Sequence, residues 1–167
     1  MNLTDHFTLE ELVQSDTAVR LGIDNTPPQA IIPNLGVLAR GLEQIRGTLK
    51  HPLFVNSGYR CEGLERLLCE KDFAAWCARH AKDRATAWGE YFERKVHPRG
   101  YAADFTCPAF GPPVEIVRAL KDSGIKFDQL IEEGTWVHAG FDPRLRGEIL
   151  TARFDKDGTP TYTKGVA

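Results

Sequence analysis

The spacing of apolar residues changes about halfway along this chain, and that change limits the possible folds more than any other feature of the sequence. In the first half, one stretch carries apolar residues at the spacing of a helix face: Leu35, Leu38, Leu42, Ile45 and Leu49. In the second half, apolar residues occur in short runs between turn residues, over residues 101–105, 127–131, 136–141 and 148–154, as expected for strands. Helices followed by strands predict an α+β domain with an antiparallel sheet flanked by helices.

Local signals predict further elements in the first third of the chain. Thr8 and Glu11 have the spacing of a capping box, which predicts a helix that runs to about Arg20 and ends near Gly22. Residues 53–55 form a brief apolar run before turn residues, which predicts a buried strand.

Three other segments carry less regular signals. Residues 62–94 are charged and lack proline, which predicts one long or two shorter amphipathic helices with a solvated face. Pro113 predicts the start of a helix that stops at Gly124. The last dozen residues are rich in Gly, Thr and Lys and are expected to form a loose tail.

Composition limits the classes of function. A chain of 167 residues with 42% apolar residues suffices for one core, so a single domain over residues 1–167 is expected. Lys and Arg number 21 against 23 Asp and Glu, which gives no indication of a nucleic-acid or membrane-surface partner. No stretch has the length or composition of a membrane span or a secretory signal, so synthesis in the cytoplasm is expected. The four cysteines contain no CxxC pair and are expected to be free thiols.

Three residues have the chemistry of metal ligands. Zinc in hydrolases is typically held by three N or O ligands, with one position left open for water. His97 lies on a turn, Asp104 on the strand that follows, and His138 on a neighbouring predicted strand. Each of these residues, taken singly, also fits a role without a metal. His97 could be a surface histidine, Asp104 a turn or capping residue, and His138 a histidine of the core. Spacing alone therefore leaves the site open.

The motifs around these residues resemble a known family. His97-x-x-Gly100-x-Ala102-x-Asp104, together with Trp136-Val137-His138, is similar to the zinc D-alanyl-D-alanine carboxypeptidase family, which also contains phage L-alanyl-D-glutamate endopeptidases and shares a fold with hedgehog signalling domains. The run Ser57-Gly58-Tyr59-Arg60 looks like a third signature of that family. The similarity extends over most of the chain except about residues 62–94, so that segment is expected to be a helical insertion. We expect it to form a cleft wall rather than a docking surface.

The resemblance implies roles for individual residues. It implies a zinc ion at the sheet, bound by His97, Asp104 and His138. It also implies that Arg60 contacts the substrate and stabilises its carbonyl oxygen as negative charge develops there. The neighbouring residues expected to bind substrate are Ser57, Tyr59 and Trp136.

Two positions depart from the family pattern. Many members carry an acid three residues before the second histidine, where this chain has Thr135. The nearest acids are Glu133 and Glu132, and we expect Glu133 to be the general base because Gly134 permits the chain to fold back. Relatives commonly have serine where this chain has Lys95, which leaves the substrate preference open.

The expected function is therefore hydrolysis of a peptide bond in peptidoglycan stem peptides, by a carboxypeptidase or an endopeptidase of phage or bacterial origin. A phage lysin would act on the cell wall, and a dipeptidase would act in the cytoplasm. The expected partners are muropeptides, with no nucleic acid and no membrane insertion, and the expected state is a monomer. The alternative is a zinc-binding module without catalysis, in a phage particle or a recognition protein.

Overall fold

The computed structural model describes residues 1–166 as an α+β domain built on one six-stranded sheet. The strands are β1 (Phe54–Ser57), β2 (Ala102–Thr106), β3 (Gln129–Glu132), β4 (Val137–Gly140), β5 (Glu148–Phe154) and β6 (Pro160–Lys164). Their order across the sheet is β1-β2-β4-β3-β5-β6. All neighbouring pairs are antiparallel except β3 and β5, which are parallel, so the expected antiparallel sheet has one parallel pair.

Seven α-helices accompany the sheet in the described part of the chain. They are α1 (Leu9–Val13), α2 (Asp16–Leu21), α3 (Ile32–Leu49), α4 (Glu62–Leu68), α5 (Glu70–Arg79), α6 (Trp88–Phe92) and α7 (Pro113–Lys121), and a 3-10 turn (Gln29–Ile31) precedes α3. The predicted α3 and α7 are confirmed, each with proline in its first turn.

The predicted single helix after Thr8 is two short helices. The Thr8 hydroxyl caps α1 by accepting a hydrogen bond from the Glu11 backbone N–H at 3.1 Å, as the capping box predicts. Ser15 then caps α2 in the same way, accepting from the Ala18 N–H at 3.2 Å. A second cap in extended conformation cannot lie within a continuous helix, which is why the chain breaks between α1 and α2.

One face of the sheet packs against α3 and α7. The side chains that meet there are fully or almost fully buried: Leu35, Leu38, Leu42, Ile45, Ile116, Val117 and Leu120 from the helices, and Ala103, Phe105, Leu130, Val137 and Ala139 from the strands. The sheet residues in this set alternate along each strand, so the residues between them face the opposite side of the sheet.

Two predictions about the ends of the sheet were wrong. β1 is an edge strand, not a buried one: Phe54 is 59% exposed, because the strand order gives β1 a neighbour on one side alone. Residues 160–164 do not form a loose tail, because they pair with β5 in register from Leu150↔Lys164 to Phe154↔Pro160. Ala167, the last residue of the expected tail, lies outside the described residues.

The segment over residues 62–94 forms three helices where one or two were predicted. Its aromatic residues are not solvated, since α4–α6 enclose a small core of their own: Cys69, Phe73, Trp76, Cys77, Ala87, Trp88 and Tyr91. Phe73 lies edge-on to Trp88, with ring centroids 5.3 Å apart. The sequence spreads these residues over three short helices, so no single periodicity showed the shared core. Whether this segment is an insertion stays a prediction.

The four cysteines are free, as expected, and three of them are buried. Within the described residues, none of the helices has both the length and the apolar character needed to cross a bilayer.

Candidate metal centre

The register of the sheet brings Asp104 and His138 together. Asp104 on β2 is directly opposite Ser57 on β1 and His138 on β4, and His138 is opposite Ile131 on β3. Directly opposed residues of antiparallel strands point to the same face, so these four side chains form a row across the sheet. We call it the ligand row, after the candidate ligands Asp104 and His138. This is the face that α3 and α7 leave uncovered.

His97 reaches this row from the turn before β2. The turn is closed by the Gly100 N–H, which donates to the His97 carbonyl at 3.0 Å. The imidazole is fixed by its Nδ1, which lies 2.7 Å from the Gly58 carbonyl oxygen. A carbonyl oxygen accepts hydrogen bonds and cannot donate them, so Nδ1 carries the proton. The Nε2 lone pair of His97 is therefore directed towards Asp104 and His138.

The three side chains converge on one point. His97 Nε2 lies 3.2 Å from His138 Nδ1 and 3.4 Å from Asp104 Oδ1, and His138 Nδ1 lies 2.9 Å from Asp104 Oδ1. Tetrahedral zinc with ligands at its usual bond lengths separates neighbouring ligand atoms by about 3.3–3.6 Å. The observed spacing is at or slightly below that range, and all three residues are buried. The cluster therefore has the donor set and dimensions to bind a metal ion.

Electrostatics favour the protonation states that metal ligands require. Burial lowers the pKa of His97, and the positive charge of Arg60 lowers it further, so the ring is neutral. Burial alone would raise the pKa of Asp104, but the positive charge of Arg60 beside it holds that pKa well below its usual range. A neutral imidazole and an ionised carboxylate are the forms that bind metal ions.

Arg60 is held in place by contacts with three side chains. Its side chain is 15% exposed and pairs with Asp104 Oδ2. Its Nε donates to Ser57 Oγ at 2.9 Å, and its Nη1 donates to Glu65 Oε2 at 3.4 Å. Arg60 thus lies beside the candidate metal ligands and still borders the cleft above them.

The other predicted substrate-binding residues are placed differently from one another. Trp136 borders the cleft. Ser57 lies in the ligand row, where it accepts from Arg60. The Tyr59 side chain packs in the main core and is 5% exposed, and its role as a substrate contact stays a prediction. The backbone hydrogen bond from Tyr59 N–H to the Leu12 carbonyl, 2.7 Å long, turns that residue inward.

The two candidate bases lie on opposite faces of the sheet. Glu132 follows the alternation of Leu130, on the face away from the ligand row, and its carboxylate pairs with Arg153. Glu133 borders the cleft, and its Oε2 accepts a hydrogen bond from Trp136 Nε1 at 2.6 Å. The chain does fold back at Gly134, whose φ is 78°, and the Glu133 N–H donates to the Trp136 carbonyl at 3.0 Å.

The surroundings of Glu133 affect its protonation. Burial raises the pKa of Glu133; His138 opposes this shift, and the negative charge of Asp104 adds to it. A carboxylate with a raised pKa is a stronger proton acceptor than one with the ordinary value, as a general base requires. Thr135, at the position where relatives carry their acid, is exposed.

The cleft above the ligand row has a volume of about 810 Å³. One wall comes from α4–α6 and the residues that follow, including Leu68, Asp72 and Lys95, and the other from the sheet, including Phe154 and Tyr162. The expectation that residues 62–94 border a cleft agrees with this arrangement. Lys95 is not free, because its Nζ lies 2.8 Å from Tyr91 Oη and 3.3 Å from Asp72 Oδ2.

Sequence reasoning missed several residues of the site. Glu65 was hidden in a charged helix, and nothing in its spacing distinguishes it from solvated acids. Tyr162 was missed because residues 160–164 were assigned to the tail. Phe154 was missed because the strand predicted over residues 148–154 did not indicate which of its side chains border a cleft. The sequence Thr161-Tyr162-Thr163, rich in residues that favour strands, was a usable signal for β6.

Comparison with models of protein families gives a match over the first half of the chain. The model of the peptidase M15 family matches residues 5–87. The matched range contains Ser57–Arg60 and runs into the helical segment, and it ends before His97. A search of curated proteins found no match.

Proposed function

Because this chain belongs to the peptidase M15 family, and so is a metallopeptidase, we propose that it uses zinc to hydrolyse a peptide bond in the stem peptides of peptidoglycan. One observation carries the proposal. The nitrogen and oxygen atoms of His97, Asp104 and His138 converge at the floor of a cleft that also contains the carboxylate of Glu133, which is not one of the three.

The three converging residues would hold the zinc ion, and when bound it would lower the pKa of a water molecule to about 7 and polarise the scissile carbonyl. Glu133 accepts the proton of the attacking water and passes it to the leaving amine. Trp136 holds one carboxylate oxygen of Glu133 at 2.6 Å, which leaves the other oxygen for the proton.

Arg60 stabilises the negative charge that develops on the carbonyl oxygen. Arginine has five N–H groups, and the contacts with Ser57, Glu65 and Asp104 occupy one on each nitrogen. The remaining N–H groups are on the two terminal nitrogens, next to the cleft. Removal of one such donor typically lowers turnover by about 10²–10³-fold in acyl-transfer enzymes.

The substrate would be a peptide strand lying in the cleft between α4–α6 and the β5–β6 hairpin. The volume of about 810 Å³ is in the range of sites that enclose ligands of several residues. Exposed apolar side chains on both walls, Leu68 at 48% and Phe154 at 45%, would contact the aliphatic parts of such a peptide. The site of action, cell wall or cytoplasm, and the monomeric state stay predictions.

Incubation of the zinc-loaded protein with defined muropeptides tests this function. We expect release of D-alanine or cleavage between L-alanine and D-glutamate, and the product identifies the bond. Glu133→Gln should keep zinc and thermal stability while activity falls by about 10²–10⁴-fold, the usual contribution of a general base. Glu132→Gln is the matched control on the opposite face and should stay active.

Two outcomes would contradict the proposal. A zinc-bound wild-type protein that leaves every muropeptide intact would fit a binding module without catalysis. Full activity in Glu133→Gln would show that another group takes the proton.

A further inference from the structure

Glu65 on α4 is the most deeply buried carboxylate near the metal centre. It is 0% exposed, and no hydrogen bond reaches its Oε1 from any residue between 1 and 166. Its charge is offset by two cations: Arg60 Nη1 lies 3.4 Å from Oε2, and Lys95 Nζ lies 3.7 Å from Oε1. Burial of a charged carboxylate is unfavourable unless the charge is paired. The position of Glu65 is therefore explained by its contacts with Arg60 and Lys95.

The first partner, Arg60, is fixed on three sides. Ser57 binds its Nε, Glu65 its Nη1 and Asp104 its Nη2. The guanidinium group is planar and rigid, so contacts at all three nitrogens determine its orientation. Loss of the Glu65 contact leaves the plane free to turn about the other two.

The orientation of Arg60 determines which oxygen of Asp104 is available. Arg60 binds Asp104 Oδ2, and Oδ1 faces His97 and His138. Residues behind a metal ligand that orient it in this way contribute to metal affinity although they do not contact the metal.

Charge acts in the same direction as geometry. Arg60 is a cation beside a site for a second cation, and the negative charge of Glu65 offsets part of that repulsion. Neutralisation of Glu65 should therefore weaken metal binding by two routes. Asp104 is no longer held in the orientation that presents Oδ1, and the positive charge of Arg60 repels the metal ion more strongly.

We propose that Glu65 is a positioning residue of the metal centre, which orients Arg60 so that Asp104 presents Oδ1 to the metal ion. This inference rests on the metal-dependent function proposed above. It also gives the helical segment a role, because α4 supplies the carboxylate on which the orientation of Arg60 depends.

The test measures zinc affinity directly, in the metal-free protein titrated with Zn²⁺ against a competing chromophoric chelator. Glu65→Gln keeps the size of the side chain and removes its charge, and it should raise the Kd for zinc by about 10-fold. The melting temperature of the metal-free protein is measured alongside.

Asp128→Asn is the matched control. Asp128 is also a fully buried carboxylate paired with arginine, at 2.7 Å from Arg146, but it contacts none of the three metal-binding residues. It should lower the melting temperature and leave the Kd unchanged. Glu65→Asp keeps the negative charge, which still offsets the nearby cations, so this variant should fold even if Glu65→Gln does not. Its shorter side chain does not reach Arg60, so it should also raise the Kd for zinc.

The outcomes separate this inference from the proposed function. If the wild-type protein binds zinc and both Glu65 variants bind it with the same Kd, the positioning role is overturned and the proposed function is not. An equal rise in Kd for Glu65→Gln and Asp128→Asn also overturns it, because it would reflect lost stability. Absence of zinc binding by the wild-type protein overturns the proposed function as well.

Discussion

Gly58 offers a sharp test of how the fold supports the metal centre. Its carbonyl oxygen accepts the 2.7 Å hydrogen bond from His97 Nδ1. A Cβ atom at this position would lie 2.2 Å from the Leu12 carbonyl oxygen, which belongs to the backbone and cannot rotate away. Gly58 is not among the glycines with positive φ, so Gly58→Ala perturbs the chain by contact alone.

The size of the effect follows from these distances. Relief of the clash requires the separation to grow from 2.2 Å to at least 3.0 Å. A movement of that size, 0.8 Å, is enough to stretch the hydrogen bond to His97 from 2.7 Å to about 3.5 Å, beyond hydrogen-bond range. Overpacking costs about 1–3 kcal/mol and the lost hydrogen bond about 1 kcal/mol. A total of about 2–4 kcal/mol corresponds to a melting temperature lower by about 5–15 °C in a chain of this size.

Thermal unfolding of the metal-free protein and zinc titration measure the two consequences. Gly58→Ala should lower the melting temperature and weaken zinc binding by about 10-fold, because His97 loses the contact that orients it. Gly63→Ala, five residues away in α4, is the matched control: nothing lies within 4 Å of its added Cβ, and alanine in a helix stabilises by about 0.5–1 kcal/mol. Wild-type stability and zinc affinity in Gly58→Ala would refute the close approach between β1 and α1.

Three further predictions concern the metal, a buried ion pair and the general base. Chelation of zinc should lower the melting temperature, since a ligand at 100 times its Kd adds about 2.7 kcal/mol to the free energy of unfolding; an unchanged value would argue against a bound metal. Burial would raise the pKa of Asp128, but its hydrogen bonds with Arg146 lower it overall. Its stabilising contribution is therefore present above the unfolded-state pKa of about 3.9 and is lost as the pH falls through the folded-state pKa. Asp128→Asn should thus destabilise the protein by about 2 kcal/mol near pH 7, and denaturant unfolding should show the difference shrinking below about pH 4. Trp136→Phe removes the hydrogen bond to Glu133, so turnover of muropeptides should fall by about 10-fold with zinc affinity unchanged; a loss of zinc instead would place Trp136 in support of the ligands.

Local sequence predicts well the elements that form through interactions between residues close together in the chain. α3 was predictable because its apolar residues repeat with the helix period and Pro33 suits its first turn. β5 was predicted over the range that the structure shows. The capping box at Thr8 involves a contact over three residues, so its pattern could be recognised without the fold.

The three candidate metal ligands could also be proposed from sequence, because the chemistry of a metal restricts the residue types and the family motifs restrict the positions. Their convergence could not be derived in the same way. It depends on the register that sets Asp104 opposite His138, and on the contact of His97 with Gly58, which is 39 residues away.

The positions of Glu132 and Glu133 show most clearly what tertiary structure decided. Successive residues of a strand point to opposite faces, so a shift of one residue in register would exchange the two side chains. The sequence restricted the candidates for the general base to this pair, and the pairing of β3 with β4 placed Glu133 at the cleft and Glu132 beside Arg153. The contacts of Arg60 with Glu65 and Asp104 have the same origin. Composition and periodicity determine which elements form, whereas contacts between distant segments determine which of their side chains meet.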